Sequence, residues 1–143
     1  MSSPAFRFTH AVAVRFRDLD AMGHAHHTLP LVYLEEARAA YWRQVAGRVE
    51  LEDIDYVLAE VRVRFHARIL WPATLTVALA TTRLGNSSFE MAFEIRDDAG
   101  QLLSSGTTQH VMFDYDAERS MKLPRELRKR LAAFEDIEEN ARA

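Results

Sequence analysis

The chain contains no cysteine, which excludes disulfides, thiolate nucleophiles and cysteine-ligated zinc. It has no apolar run near the roughly 20 residues of a membrane-spanning helix, and its start, Met1-Ser2-Ser3-Pro4-Ala5-Phe6-Arg7, lacks the long apolar stretch of a secretory leader. Positive charge is not in excess: 18 Lys and Arg stand against 21 Asp and Glu, a net charge of −3, so nucleic acid is not an expected partner. There is no Gly-x-Ser-x-Gly stretch, so the serine elbow of many hydrolases is missing too. These absences predict a cytoplasmic protein with no membrane and no nucleic-acid partner, whose chemistry rests on carboxylates, histidines and backbone groups.

What is present fits a globular chain. The sequence is 143 residues long, 48% hydrophobic and 27% charged, and a chain of this size can bury roughly 68–70% of its unfolded surface. It shows no internal repeat and no linker, so residues 1–143 are expected to form a single domain.

Alternation at period 2 predicts strands. Phe6, Phe8, Val12, Val14 and Phe16 alternate with Arg7, Thr9, Arg15 and Arg17, with His10 falling on the apolar parity. Further alternating runs cover Val61 to Ile69, Leu75 to Leu79, Phe89 to Ile95 and Val111 to Tyr115. Leu84-Gly85-Asn86-Ser87 and Asp97-Asp98-Ala99-Gly100 are turn clusters short enough to make hairpins. Between the first and second strands, Leu34, Ala37, Tyr41 and Val45 recur at helical spacing, which predicts a helix from Thr28 to Ala46 with Thr28 as N-cap and Gly47 after its end. Pro124 to Phe134 predicts a short terminal helix. A sheet with one apolar face covering one long helix is an α+β, two-layer solution.

Chemistry concentrates at the junction of the first strand and the long helix. Asp18-Leu19-Asp20-Ala21-Met22-Gly23-His24-Ala25-His26-His27-Thr28 places two carboxylates, a glycine and three histidines where helix-start N–H groups are unpaired. The order of Asp18-Leu19-Asp20, Gly23, the polar stretch and Glu35-Glu36-Ala37-Arg38 resembles the 4-hydroxybenzoyl-CoA thioesterase-like branch of the hotdog fold, an antiparallel sheet wrapped around a central helix. The element order resembles it over the whole chain, including Met121-Lys122-Leu123-Pro124.

The resemblance implies an acyl-CoA thioesterase that hydrolyses its substrate to a carboxylic acid and free CoA, with no cofactor and no metal. It implies Asp20 as nucleophile or general base and the His27 N–H as the donor that polarises the thioester carbonyl. It also implies a homodimer or homotetramer, because exposed strand edges favour symmetric pairing. From the residues alone, Asp18 and Asp20 are equally readable as loop-ordering aspartates. His24, His26 and His27 could in principle hold a metal, but they crowd one short loop, so polar lining of a pocket is expected instead. Relatives often carry asparagines where this chain has His26 and His27. A histidine changes charge near pH 6.5, so a rate change between about pH 5.5 and 7.5 is expected.

Candidate substrate contacts are Met22, Gly23 and His24 in the loop, with Arg62, Arg64 and Arg83 as cations for the CoA phosphates. Asp18 is the supporting residue. Leu19, Met22, Tyr33, Trp42 and Tyr56 are candidate acyl-pocket residues, and core positions on a plainer reading. Glu35 and Glu36 resemble a catalytic helix glutamate of another hotdog branch, but Glu35 with Arg38 at i,i+3 reads as a helix-surface pair. The rival function is a non-catalytic acyl-CoA or acyl-carrier-protein binding module, since a fold can keep a ligand groove without turnover. A hydratase is disfavoured, because its aspartate–histidine pair belongs on a differently patterned segment.

Overall fold

Every stretch of period-2 alternation contributes to a strand in the computed structural model, which describes residues 6–140. The strands are β1 (Phe8–Ala13), β2 (Tyr56–Phe65), β3 (Thr74–Leu84), β4 (Ser88–Arg96), β5 (Leu102–Asp114) and β6 (Arg119–Ser120). They form an antiparallel sheet of order β1-β3-β4-β5-β2, with β6 added to the end of β5. The helices are α1 (Leu29–Gln44) and α2 (Arg125–Glu135).

The bounds differ from the sequence pattern for local reasons. β1 stops at Ala13: the Val14 N–H donates to Ala73 O at 2.9 Å, and the chain then tightens into a 3-10 turn over Phe16–Asp18 that leaves Phe16 70% exposed. His10 sits on the helix side of β1 because it meets Glu36 of α1 at 3.5 Å. β2 lies earlier than the Val61–Ile69 run predicts. After Phe65, the His66 and Ala67 N–H groups both donate to Leu103 O, and Ile69 O accepts from Ala25, so the chain leaves the ladder to brace the histidine loop. β5 is far longer than the Val111–Tyr115 run, since its first half is Ser, Thr and Gln lying between β4 and β2.

The two turn clusters do close hairpins. Gly85 N–H donates to Ser88 O at 2.7 Å, and Asp97 N–H donates to Gln101 O at 3.1 Å with Gly100 at φ +84°. Thr28 occupies the α1 N-cap position without a side-chain capping bond; its hydroxyl pairs with the His26 ring instead.

The inner face of α1, built from Tyr33, Leu34, Ala37 and Tyr41, is buried in one core with Leu75, Val77 and Leu79 of β3 and Met91, Phe93 and Ile95 of β4. This is the two-layer packing of sheet on helix that the pattern predicts. α2 buries Leu127, Leu131 and Ala132 and is latched by Glu135, whose Oε2 accepts from the Tyr41 hydroxyl and the Thr81 N–H, each at 2.7 Å. Burial pushes the Glu135 carboxyl above its ordinary value.

Candidate active site

The loop between β1 and α1 is ordered by its own backbone. Asp20 N–H donates to His24 O and Gly23 N–H donates to Asp20 O, which closes a tight turn in which Gly23 has φ +81°, a conformation that suits glycine. The turn is then clamped at two points: Ala25 N–H donates to Ile69 O at 2.8 Å, and His26 N–H donates to Asp18 O at 3.1 Å.

The two aspartates have different surroundings. Asp18 is 4% exposed, and its carboxylate accepts from the Arg15 N–H at 2.9 Å and the Tyr33 hydroxyl at 2.8 Å, with the Arg15 guanidinium 3.5 Å away. Burial and the Asp18 carboxylate together hold the Tyr33 phenol well above its ordinary range. Asp20 is half-buried at the turn. Its Oδ1 accepts from the Met22 N–H at 2.9 Å, and no side chain among the described residues pairs with Oδ2.

A cavity of about 350 Å³ opens at the start of α1, lined by the histidine loop on one side and by the end of β2 and the segment beyond it on the other. His24, His26 and His27 contribute from the loop; Phe65, His66, Arg68 and Ile69 contribute from the far wall. The rings of His26 and His27 lie 4.0 Å apart, tilted by 37°, and His26 Nδ1 is tied to the Thr28 hydroxyl at 2.9 Å. At the helix start, the Thr28 N–H is taken by the His26 ring and the Leu29 N–H by His26 O, and Pro30 has none. The His27 N–H has no partner among the described residues. Among the described residues the lining carries no carboxylate; its polar side chains are four histidines, Ser104 and one arginine, Arg68, which favours negative charge there. Among the described residues no group of three or more His, Asp or Glu is placed to hold a metal ion.

Of the residues expected to bind substrate, His24 lines this cavity, as does His27. Asp20, Met22 and Gly23 form the outer turn beside it, and Met22 is 73% exposed. Arg62 and Arg64 are exposed on β2, where Arg62 meets Glu60 at 3.7 Å. Arg83 lies at a separate depression with Gly85, Ser88, Glu90 and Gln109, so the structure does not bring the three arginines together. Trp42 and Tyr56 line a different cavity, beside the middle of α1. The expected Glu35–Arg38 surface pair does not form: Arg38 is 5% exposed and has no ion pair among the described residues.

The sequence pattern misses His66, Arg68 and Ser104. His66 and Arg68 stand on the polar parity of an apparent strand, which reads as a solvated face. Ser104 belongs to a serine pair with no apolar rhythm, yet it lines the cavity, with a buried hydroxyl that has no hydrogen-bond partner among the described residues.

A model of the thioesterase-like superfamily matches residues 14–131 of the chain. Among solved structures, a thioesterase from Thermus thermophilus, complexed with coenzyme A and Zn, is 30% identical with a TM-score of 0.80, over 89% of this chain and 98% of that one. A predicted thioesterase from Bacillus stearothermophilus is 23% identical with a TM-score of 0.82, over 89% of this chain and 95% of that one. A Staphylococcus aureus protein in complex with CoA shares the fold at a TM-score of 0.82 and 13% identity, over 95% of this chain and 89% of that one. No curated protein matches. No helix among the described residues is long and apolar enough to cross a membrane.

Proposed function

The chain belongs to the thioesterase-like superfamily and has the hotdog fold, and from that premise we propose that it is an acyl-CoA thioesterase releasing a carboxylic acid and free CoA. The observation that carries the reading is that His27, one residue before the α1 N-cap, lines this cavity and has an N–H with no partner among the described residues, which also place no carboxylate in the lining. Thioester cleavage builds negative charge on the carbonyl oxygen, and a backbone donor at the positive end of a helix dipole stabilises it. The match to a thioesterase crystallised with coenzyme A supports CoA as the carrier.

In this reading Asp20 is the nucleophile or general base. Its Oδ1 is held by the Met22 N–H, which fixes the carboxylate plane while Oδ2 stays available to attack the thioester or take a proton from water. Asp18 supports the loop through Arg15 and Tyr33. His24 and the His26–His27 pair line the path of the substrate, and Arg68 is the cation nearest to hand on the cavity wall for a CoA phosphate. Residues 1–143 act as one domain, in a cytoplasmic protein working as a homodimer or homotetramer.

Thiol release tests the proposal over aromatic, short, medium and long acyl-CoAs. Wild type is expected to turn over at least one class, and Asp20→Asn to lower kcat by about 10²–10⁴-fold with unchanged thermal stability. The position of Asp20 outside the cavity lining favours one rival, a binding module without turnover. That rival prevails if acyl-CoA binds and thiol is never released. Full activity in Asp20→Asn removes the catalytic assignment while leaving the thioesterase in place.

A further inference from the structure

Arg38 occupies a position where helix spacing predicts a solvated charge paired with Glu35. It is buried instead, 5% exposed, and its Nε has no hydrogen-bond partner among the described residues. No carboxylate lies within ion-pair distance among the described residues; the Tyr56 hydroxyl serves the guanidinium as a neutral hydrogen-bond partner, and Glu35 acts on it only through its charge. A guanidinium out of water without an acid is costly unless something supplies the missing charge.

The residue lines a cavity of about 410 Å³ between α1, the segment after it and the start of β2. The walls are mostly apolar and include Trp42, Ile54, Tyr56 and Leu58. Four other charged side chains line it: Arg43, Arg48, Glu35 and Glu50. Arg48 is committed to Asp55 at 3.3 Å and Glu126 at 2.8 Å, whereas Glu35, Arg43 and Glu50 are exposed at the rim. Behind Tyr56 lies His110, stacked on Phe89 at 4.6 Å and kept neutral at physiological pH by burial and by the Arg38 charge. Arg38 is therefore the buried charge of this pocket, set against an aromatic wall.

We propose that this cavity binds an organic carboxylate with an apolar body, the carboxylate on the Arg38 guanidinium and the body between Trp42, Ile54, Tyr56 and Leu58. The planar fork of arginine matches a carboxylate edge, and the lining gives an aromatic ring or short alkyl chain an apolar surface. A free acid and the far end of a thioester's acyl group share this chemistry. The site does not depend on turnover.

Trp42 reports on it directly. In a Trp71→Phe background, which leaves Trp42 as the one tryptophan, benzoate and octanoate are expected to change its emission saturably. Benzamide is expected to bind at least tenfold more weakly for want of charge, and inorganic phosphate at least tenfold more weakly for want of an apolar body. Arg38→Gln is expected to weaken benzoate at least tenfold. If that variant does not fold, the benzoate–benzamide comparison on the arginine-bearing protein decides the matter. Displacement of benzoate by suberoyl-CoA and not by octanoyl-CoA assigns the carboxylate to an acyl chain, while displacement by neither assigns it to a free acid; both support the site. The proposal is overturned by equal binding of benzoate and benzamide, by phosphate as tight as benzoate, by an unchanged Arg38→Gln, by displacement with both thioesters alike, or by no saturable signal.

Discussion

Two residues apart, Asp18 and Asp20 have opposite surroundings, and the difference separates folding from chemistry. Asp18 Oδ2 is the acceptor for a buried tyrosine hydroxyl and a backbone N–H. Removing it leaves the Tyr33 hydroxyl buried without its partner, so Asp18→Ala is expected to cost about 1–3 kcal/mol in urea unfolding. Asp20→Asn, whose amide oxygen can keep the Met22 bond, should leave that curve in place. His110 gives a second residue-scale prediction. Burial, reinforced by the Arg38 charge, lowers its pKa from 6.5 to about 3. The folded state therefore binds this proton less readily than the unfolded state. The contribution is complete above pH 6.5 and is lost progressively as pH falls towards about 3. Unfolding measured at pH 7 and pH 4.5 should show the loss, and His110→Phe, which keeps a ring against Phe89, should flatten it. An equal slope in that variant would place the acid sensitivity elsewhere.

At the scale of elements, β5 is the one strand among the described residues that pairs with β2, and Gly106 allows the approach. A Cβ at Gly106 would stand 1.8 Å from Arg62 O and 2.9 Å from the Phe93 ring, so backbone and core both resist it. Gly106→Ala is expected to cost about 3 kcal/mol or more and to speed amide exchange in β2 ahead of β3 and β4. If β2 and β4 lose protection together, the ladder is not the element disturbed. The same strand shows why part of the fold was legible in the sequence and part was not. β4 is read from Phe89, Met91, Phe93 and Ile95 because one of its faces is core and the other polar. The first half of β5 is hidden because Ser104 and Thr108 are buried polar residues without apolar rhythm. The site divides similarly. Its loop was legible in the spacing of Asp18, Asp20, Gly23 and the histidines, all local in sequence. Its far wall, His66, Arg68 and Ser104, depends on β2 and β5 meeting α1, which no local pattern encodes.

At the scale of the whole molecule, the sheet ends in β1 and β2, and β2 is the longer edge. Its inner side pairs with β5, while its outer side carries backbone groups with no strand beside them among the described residues. Leu58 and Phe65 on this strand are 47% and 55% exposed, which is a poor arrangement for a solitary edge. A second copy pairing antiparallel along β2 would cover both residues and complete the ladder. Phe65 borders the histidine-lined cavity and Leu58 borders the Arg38 cavity, so the two lie towards opposite ends of β2. Two-fold pairing would set the histidine cavity of one copy beside the Arg38 cavity of the other. The chain is accordingly expected to sediment at twice its monomer mass. Leu58→Glu, which puts a charge on the edge, is expected to shift it towards monomer and to lower thiol release in proportion to the dimer lost. A wild-type monomer that releases thiol at full rate would defeat the pairing and leave each cavity to work within its own chain.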